Sequence, residues 1–176
     1  MYVQNDYAER KGKKRLDAIF TLQPDGRYRA KDALYESGEM VRILEHLIEN
    51  RGLVSRFVEE NRSKLTEKEI ETYRSWEHFV ASEFIVMQTH DDSQIFAWDP
   101  RKHRVYLVYG LYDPMATLIP RLPFSLGMML FPYKGRMVFN GFFIGQNIEY
   151  GNNIVRQMVE DYSKDIADHG IVLDSI

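Results

Sequence analysis

Apolar positions along the chain change their spacing near Val80. Upstream they recur every three or four residues. Met40, Ile43, Leu44, Leu47 and Ile48 fall at i, i+3, i+4, i+7 and i+8, with Glu45 and Glu49 off that face, which predicts an amphipathic helix. Ser37 is suited to cap it, and Asn50-Arg51-Gly52 ends it. Leu53, Val54, Phe57 and Val58 predict a second short helical face. Thr66 and Glu69 match a capping box, and Ile70, Tyr73, Trp76 and Val80 continue that third helix on one side. Further upstream, Ile19-Phe20 begins a short strand or docking segment, and Pro24-Asp25-Gly26 is a turn.

Downstream of Val80 the pattern becomes runs of β-branched and aromatic residues cut by turn residues. Six strands are expected: 83–90, 94–98, 104–110, 124–131, 136–139 and 142–148. Pro114, Pro120 and Pro123 make 111–123 a loop, with one helical turn near Met115–Ile119. Pro132-Tyr133-Lys134-Gly135 is a turn, and Asn140-Gly141 is the strongest hairpin signal, because a type I′ turn needs two residues at φ > 0. Ile154, Val155, Met158, Val159, Tyr162 and Ile166 predict a last helix, started by Asn152 or Asn153 and stopped by Gly170, with a short strand at 171–173.

Short connections favour an antiparallel meander over parallel crossover units. The expected fold is therefore α+β: N-terminal helices packed on an antiparallel β-meander of about six strands, closed by a C-terminal helix. We expect one domain over 1–176: a basic arm and irregular segment to 35, a helical layer over 36–80, the meander over 81–150 and the helix over 151–170.

Composition sharpens the division at Val80. Residues 1–80 carry 15 Lys+Arg and 15 Asp+Glu, whereas 81–176 carry 8 and 11, so the net charge of -3 belongs to the strand-rich part. Zero Cys rules out disulfides, thiolate metal sites and Cys nucleophiles. No run reaches the roughly 18 apolar residues of a membrane span, and the N-terminus lacks a basic-then-apolar signal pattern. A cytoplasmic protein with no membrane contact is expected; the oligomeric state is not set by these features.

The run L-P-F-S-L-G-M-M-L-F-P-Y-K-G-R-M-V-F-N-G-F-F, followed by I-E-Y-G-N-N-I-V-R-Q-M, resembles a family of small bacterial proteins without an assigned activity. Its members carry a P-F-K-G-like turn, a strand ending in Tyr-Asp-Gly and a C-terminal helix. Val105-Tyr-Leu-Val-Tyr-Gly-Leu is similar to that family's strand before its loop, and the likeness spans about the C-terminal third to half of the chain. Asn140 and Tyr133 stand where the family more often has Asp and Phe, and an Asn cannot serve as acid or base. The resemblance implies a bacterial, cytoplasmic setting and brings no activity.

Candidate chemistry is sparse. No Walker loop, dinucleotide glycine pattern, nucleophile elbow or H-E-x-x-H is present. Arg10, Lys11, Lys13, Lys14 and Arg15 form a dense basic run suited to an acidic partner or nucleic-acid phosphates. Lys134, Arg136 and Asn140 lie at a predicted sheet rim, where two cations suit a phosphate or acidic partner, or simply blunt an edge. His90, Asp92 and His103 are the metal candidates, although their spacing matches no ligand motif. Trp98, Tyr106, Tyr109 and Tyr112 are of the type that stacks bases, or that fills a tyrosine-rich core. No cofactor is expected. The leading expectation is a non-enzymatic interaction or regulatory protein with a protein or nucleic-acid partner. The alternatives are a small metal-assisted hydrolase using the His/Asp set and a nucleic-acid-binding protein using the basic arm.

Overall fold

A computed structural model describes residues 2–10, 20–22, 24, 28–30, 37–110 and 114–174. They fall into two compact units, Met1–Thr66 and Glu67–Ile176.

The first unit holds three helices, α1 (Tyr2–Arg10), α2 (Ser37–Glu49) and α3 (Leu53–Asn61), and an antiparallel hairpin of β1 (Phe20–Leu22) and β2 (Tyr28–Ala30) around the expected Pro24 turn. Helix α1 was not expected, because its face is built from Tyr7 and Ala8 and shows no clear apolar repeat. The α2 stripe is shifted from the expected one. Ile43 and Leu47 are buried, Ile48 is exposed, and His46 is buried in its place.

The second unit opens with α4 (Glu67–Ser75), which starts where the Thr66/Glu69 pattern places a helix. The helix does not run on to Val80. Ser75 Oγ donates to the Thr72 carbonyl at 2.7 Å, a local bond that competes with helix propagation. A 3-10 turn at Trp76–His78 and the buried Phe79 then redirect the chain into a strand.

Five strands follow: β3 (Val80–Asp91), β4 (Gln94–Asp99), β5 (Arg104–Gly110), β6 (Phe124–Pro132) and β7 (Met137–Gln146). Then come helix α5 (Asn152–His169) and a short strand β8 (Ile171–Val172). The class is α+β, as expected, but the sheet is a closed barrel and not an open meander. β3 pairs with β4 and β6, β4 with β5, β5 with β7, and β7 with β6, which completes a ring. The β5–β7 and β5–β8 pairings are parallel. Closure removes the unpaired edges that an open sheet leaves exposed. The order β6-β3-β4-β5 is a Greek key, with 111–123 as its long connection, and β7 seals it. This is the five-stranded Greek-key architecture of OB-type barrels. Following the register once around the ring returns to β3 about ten residues away, the stagger that goes with strand tilt.

Asn140-Gly141 does not form a hairpin. Its backbone lies inside β7, and the register passes from Leu130↔Phe139 to Met128↔Phe143, so 140–142 oppose Met129 alone as a bulge. The type I′ turn sits at Lys134-Gly135 instead, with φ 52° and 71°. Tyr133 and Arg136 exchange backbone bonds of 2.8 and 3.2 Å across it. With that turn made, β7 stays extended and keeps its backbone groups paired along β6. Two expected strands therefore merge into one.

The barrel interior is apolar: Phe84, Val86, Ile95, Val108, Leu126, Leu130 and Met137 are almost fully buried there. Helix α5 covers part of the outer face of β4 and β5, where Trp98, Val105 and Leu107 meet Tyr162 with Met158 and Ile166 around them. The expected α5 stripe is narrower than its sequence suggests, since Ile154 and Val159 are exposed and Asp165 is buried. Gly170 ends the helix at φ 71°, its N–H donating to the Ile166 carbonyl at 2.8 Å.

Candidate functional site

Alternation along β3, β4 and β5 sends one set of side chains into the barrel and the other outward. Tyr106 points inward: burial first, then the nearby Asp99, raise its hydroxyl pKa. Trp98 and Tyr109 point outward, but their surroundings differ. The Trp98 indole is covered by α5. Its Nε1–H donates to Asp165 Oδ2 at 2.8 Å, and its ring meets Tyr162 edge-on at 6.1 Å. Burial pushes the Tyr162 hydroxyl up to about 12. Trp98 and Tyr106 are thus core groups and offer no stacking surface; Tyr112 lies outside the described residues.

Tyr109 lies at the far end of β5 and is only half-buried. The Arg136 guanidinium carbon lies 4.7 Å from the centre of its ring. On the same turn, Lys134 Nζ lies 4.9 Å from the Tyr133 ring centre. Neither cation has an acidic partner among the described residues, whereas Arg101 is held by Glu83 at 2.5 Å and Arg121 by Glu149 at 2.8 Å. Gln94 pairs with Tyr109 across β4 and β5, and the exposed His90 ring meets Phe96 edge-on at 5.6 Å. His90, Phe96, Tyr109 and Arg136 therefore follow one another across three strands to the β6–β7 turn. The β3–β4 turn beside them is acidic. Asp91 accepts from the Ser93 hydroxyl and backbone N–H, both at 2.8 Å, and the Ser93 hydroxyl is the main cause of its lowered pKa.

The structure does not bring the metal candidates together. His90 and Asp92 lie at one end of β4 and His103 at the other, roughly 20 Å away at about 3.3 Å per residue. His103 Nδ1 is 3.0 Å from Asp165 Oδ1. Among the described residues no three His, Asp or Glu side chains are grouped to hold a metal ion.

In the helical unit, Arg10 ends α1 and pairs with Asp6 at 2.9 Å. Lys11, Lys13, Lys14 and Arg15 lie outside the described residues, and so does the side chain of Asn140. Asp6 also meets His46 Nε2 at 2.8 Å and accepts from Arg56. Burial alone would raise its carboxyl, but bonds from His46 and Arg56 and the charges of Arg56 and Arg10 hold it below the usual value. An open polar cleft of about 300 Å³ lies here, lined by Tyr2, Asn5, Asp6, Glu9, Arg56 and Glu60. Burial and the Glu60 hydrogen bond raise the Tyr2 hydroxyl.

Sequence reasoning missed Asp6, His46 and Arg56, whose meeting depends on contacts 40 to 50 positions apart with no local signal. Asp165 was findable: 158, 162 and 165 share one helical face, and a carboxylate on an apolar stripe asks for a buried donor.

Comparison of the chain with protein-family models, curated proteins and solved structures finds no match to any of them. No helix among the described residues is long and apolar enough to cross a membrane.

Proposed function

We propose that this chain is a non-enzymatic interaction or regulatory module whose partner surface is the cation–aromatic rim of Lys134, Arg136, Tyr109 and Tyr133. One observation carries the reading: both cations of a conformationally fixed turn rest on tyrosine rings with no carboxylate partner among the described residues. A guanidinium stacked on a ring keeps its N–H edge available for a partner's anionic groups. A bacterial cytoplasmic setting belongs to the proposal, and a chain without cysteine suits it. The separation of His90 and Asp92 from His103 does not support the metal-hydrolase alternative.

The test is a pull-down with the immobilised full chain and with its Lys134→Glu/Arg136→Glu variant. The variant is expected to lose a partner that the parent recovers. Identical recoveries by the two proteins, both folded by circular dichroism, would overturn the reading.

A further inference from the structure

Resting on the proposed partner surface, we infer that its ligand is single-stranded nucleic acid, bound along the strip from His90 through Tyr109 to Lys134 and Arg136. Single strands are held by cations that follow the phosphates and by flat rings that stack the bases. The strip supplies both within one short span. His90 and Tyr109 lie two strands apart, or about 10 Å at the usual strand spacing. The Arg136 guanidinium carbon lies 4.7 Å from the Tyr109 ring centre and Lys134 Nζ 4.9 Å from that of Tyr133, so each half-exposed ring has a cation beside it.

The mounting is rigid. The two cations flank Gly135 on a tight turn closed by two backbone bonds of 2.8 and 3.2 Å. The turn backbone therefore costs little ordering entropy when a ligand arrives. The place on the barrel is also apt. OB-type barrels bind oligonucleotides or oligosaccharides on the face of their second and third strands and on the loops joining strands one to two and four to five. Those positions correspond here to β4–β5, the Asp92–Ser93 turn and the Lys134–Gly135 turn. Helix α5 packs on the Trp98 end of that face, and Tyr109 at the other end is half-buried. The acidic Asp91 at the strip's edge is tied to Ser93 and Gln94, which bounds the ligand path on that side. An acidic peptide would use the cations alone and leave the rings idle, and on that ground we favour nucleic acid.

The experiment is fluorescence anisotropy of the full chain with a labelled oligothymidylate of about 15 nucleotides, across a salt series, beside a labelled polyglutamate peptide of matched charge. Three results are expected. The parent binds the oligonucleotide at low salt at least tenfold more tightly than the peptide. Lys134→Gln/Arg136→Gln lowers the slope of log affinity against log salt by about 1.4, two phosphates' worth for a single strand. Tyr133→Leu, with both charges kept, weakens binding about fivefold and leaves the slope unchanged. The inference is overturned by no oligonucleotide binding at low salt, by an unchanged slope in the double Gln variant, or by equal affinity for the peptide. If the oligonucleotide does not bind but Lys134→Glu/Arg136→Glu still loses its pull-down partner, only this inference falls and the interaction reading stands.

Discussion

In Met1–Thr66 a charged group lies among the helices: the Asp6 carboxylate, bonded to the buried His46 and to Arg56 and Arg10. In Glu67–Ile176 the centre is a closed ring of strands around Phe84, Leu126, Leu130 and Met137. The helical unit thus adds a directional polar cluster to its buried Ile43, Leu47, Leu53 and Val58, whereas the interior of the barrel unit is built by apolar burial. Burial of this kind is worth roughly 1.5–3 kcal/mol per large apolar side chain, whereas exposed ion pairs usually bring under about 1 kcal/mol. The barrel therefore holds a rim in fixed geometry, which the partner surface proposed above requires.

The largest expected effect breaks the apolar side of the comparison. Phe84→Ala empties a site that is 1% exposed and removes an edge-on contact with Tyr106, so it should cost about 3–5 kcal/mol. Both tryptophans, Trp76 and Trp98, belong to the barrel unit, so denaturant titration followed by tryptophan fluorescence reads that unit alone. A loss below about 1 kcal/mol would mean that the interior tolerates voids and does not hold the barrel as described. Next comes Asp165→Leu. It leaves the buried Trp98 N–H without its acceptor, at a cost of about 1–3 kcal/mol. Trp98 emission should shift on the change; an unshifted spectrum and an unchanged midpoint would mean that α5 is not held through this bond.

The two units should also fail at opposite ends of the pH scale. The Asp6 carboxyl is depressed from its ordinary 3.8, so the stability it contributes is present above that value and is lost as pH falls below it, through the folded value. The Tyr162 hydroxyl is raised from 10.0 to about 12, so its contribution is present below pH 10 and is lost as pH rises through 12. Helical circular dichroism should therefore begin to drop in acid before tryptophan fluorescence changes, and fluorescence should report the alkaline loss. In Asp6→Asn the acid-side step should shrink, with about 1 kcal/mol lost at neutral pH, because Arg10 and Arg56 are about half-exposed. Coincident acid transitions by the two probes in both proteins would remove the contrast.

The comparison also explains what the sequence discloses. Elements set by local period were legible: α2, α3, β4, β5 and α5 fall close to where the apolar spacing puts them. Ring closure was not, because the β5–β7 and β3–β6 pairings depend on register between distant strands, and no local pattern encodes that. The Asn140-Gly141 error has the same origin. A strong local turn preference gave way to the backbone bonds that an unbroken β7 makes along β6. Of the rim, Lys134, Arg136 and Tyr109 could each be named from the sequence, but the meeting of Arg136 with Tyr109 could not. Tyr109 precedes Arg136 by 27 positions, on a strand that meets β7 in parallel.

The smallest expected effect separates turn geometry from charge. Every residue with φ in the left-handed region, among those described, belongs to the barrel unit: His103, Lys134, Gly135 and Gly170. Lys134 at φ 52° is an L-residue with a Cβ in that region, a placement that costs roughly 1–2 kcal/mol and that Asn tolerates better. Lys134→Asn should thus raise barrel stability by about 0.5 kcal/mol while removing one cation from the rim. Gly135→Ala, at φ 71°, should lower it by about 1 kcal/mol and leave both cations in place. Thermal melts rank the two changes in one order, and partner binding should rank them in the reverse order, because binding follows the cation and not the fold's stability. If binding instead falls with stability in both variants, the rim acts only through the integrity of its turn, and Lys134 touches no partner.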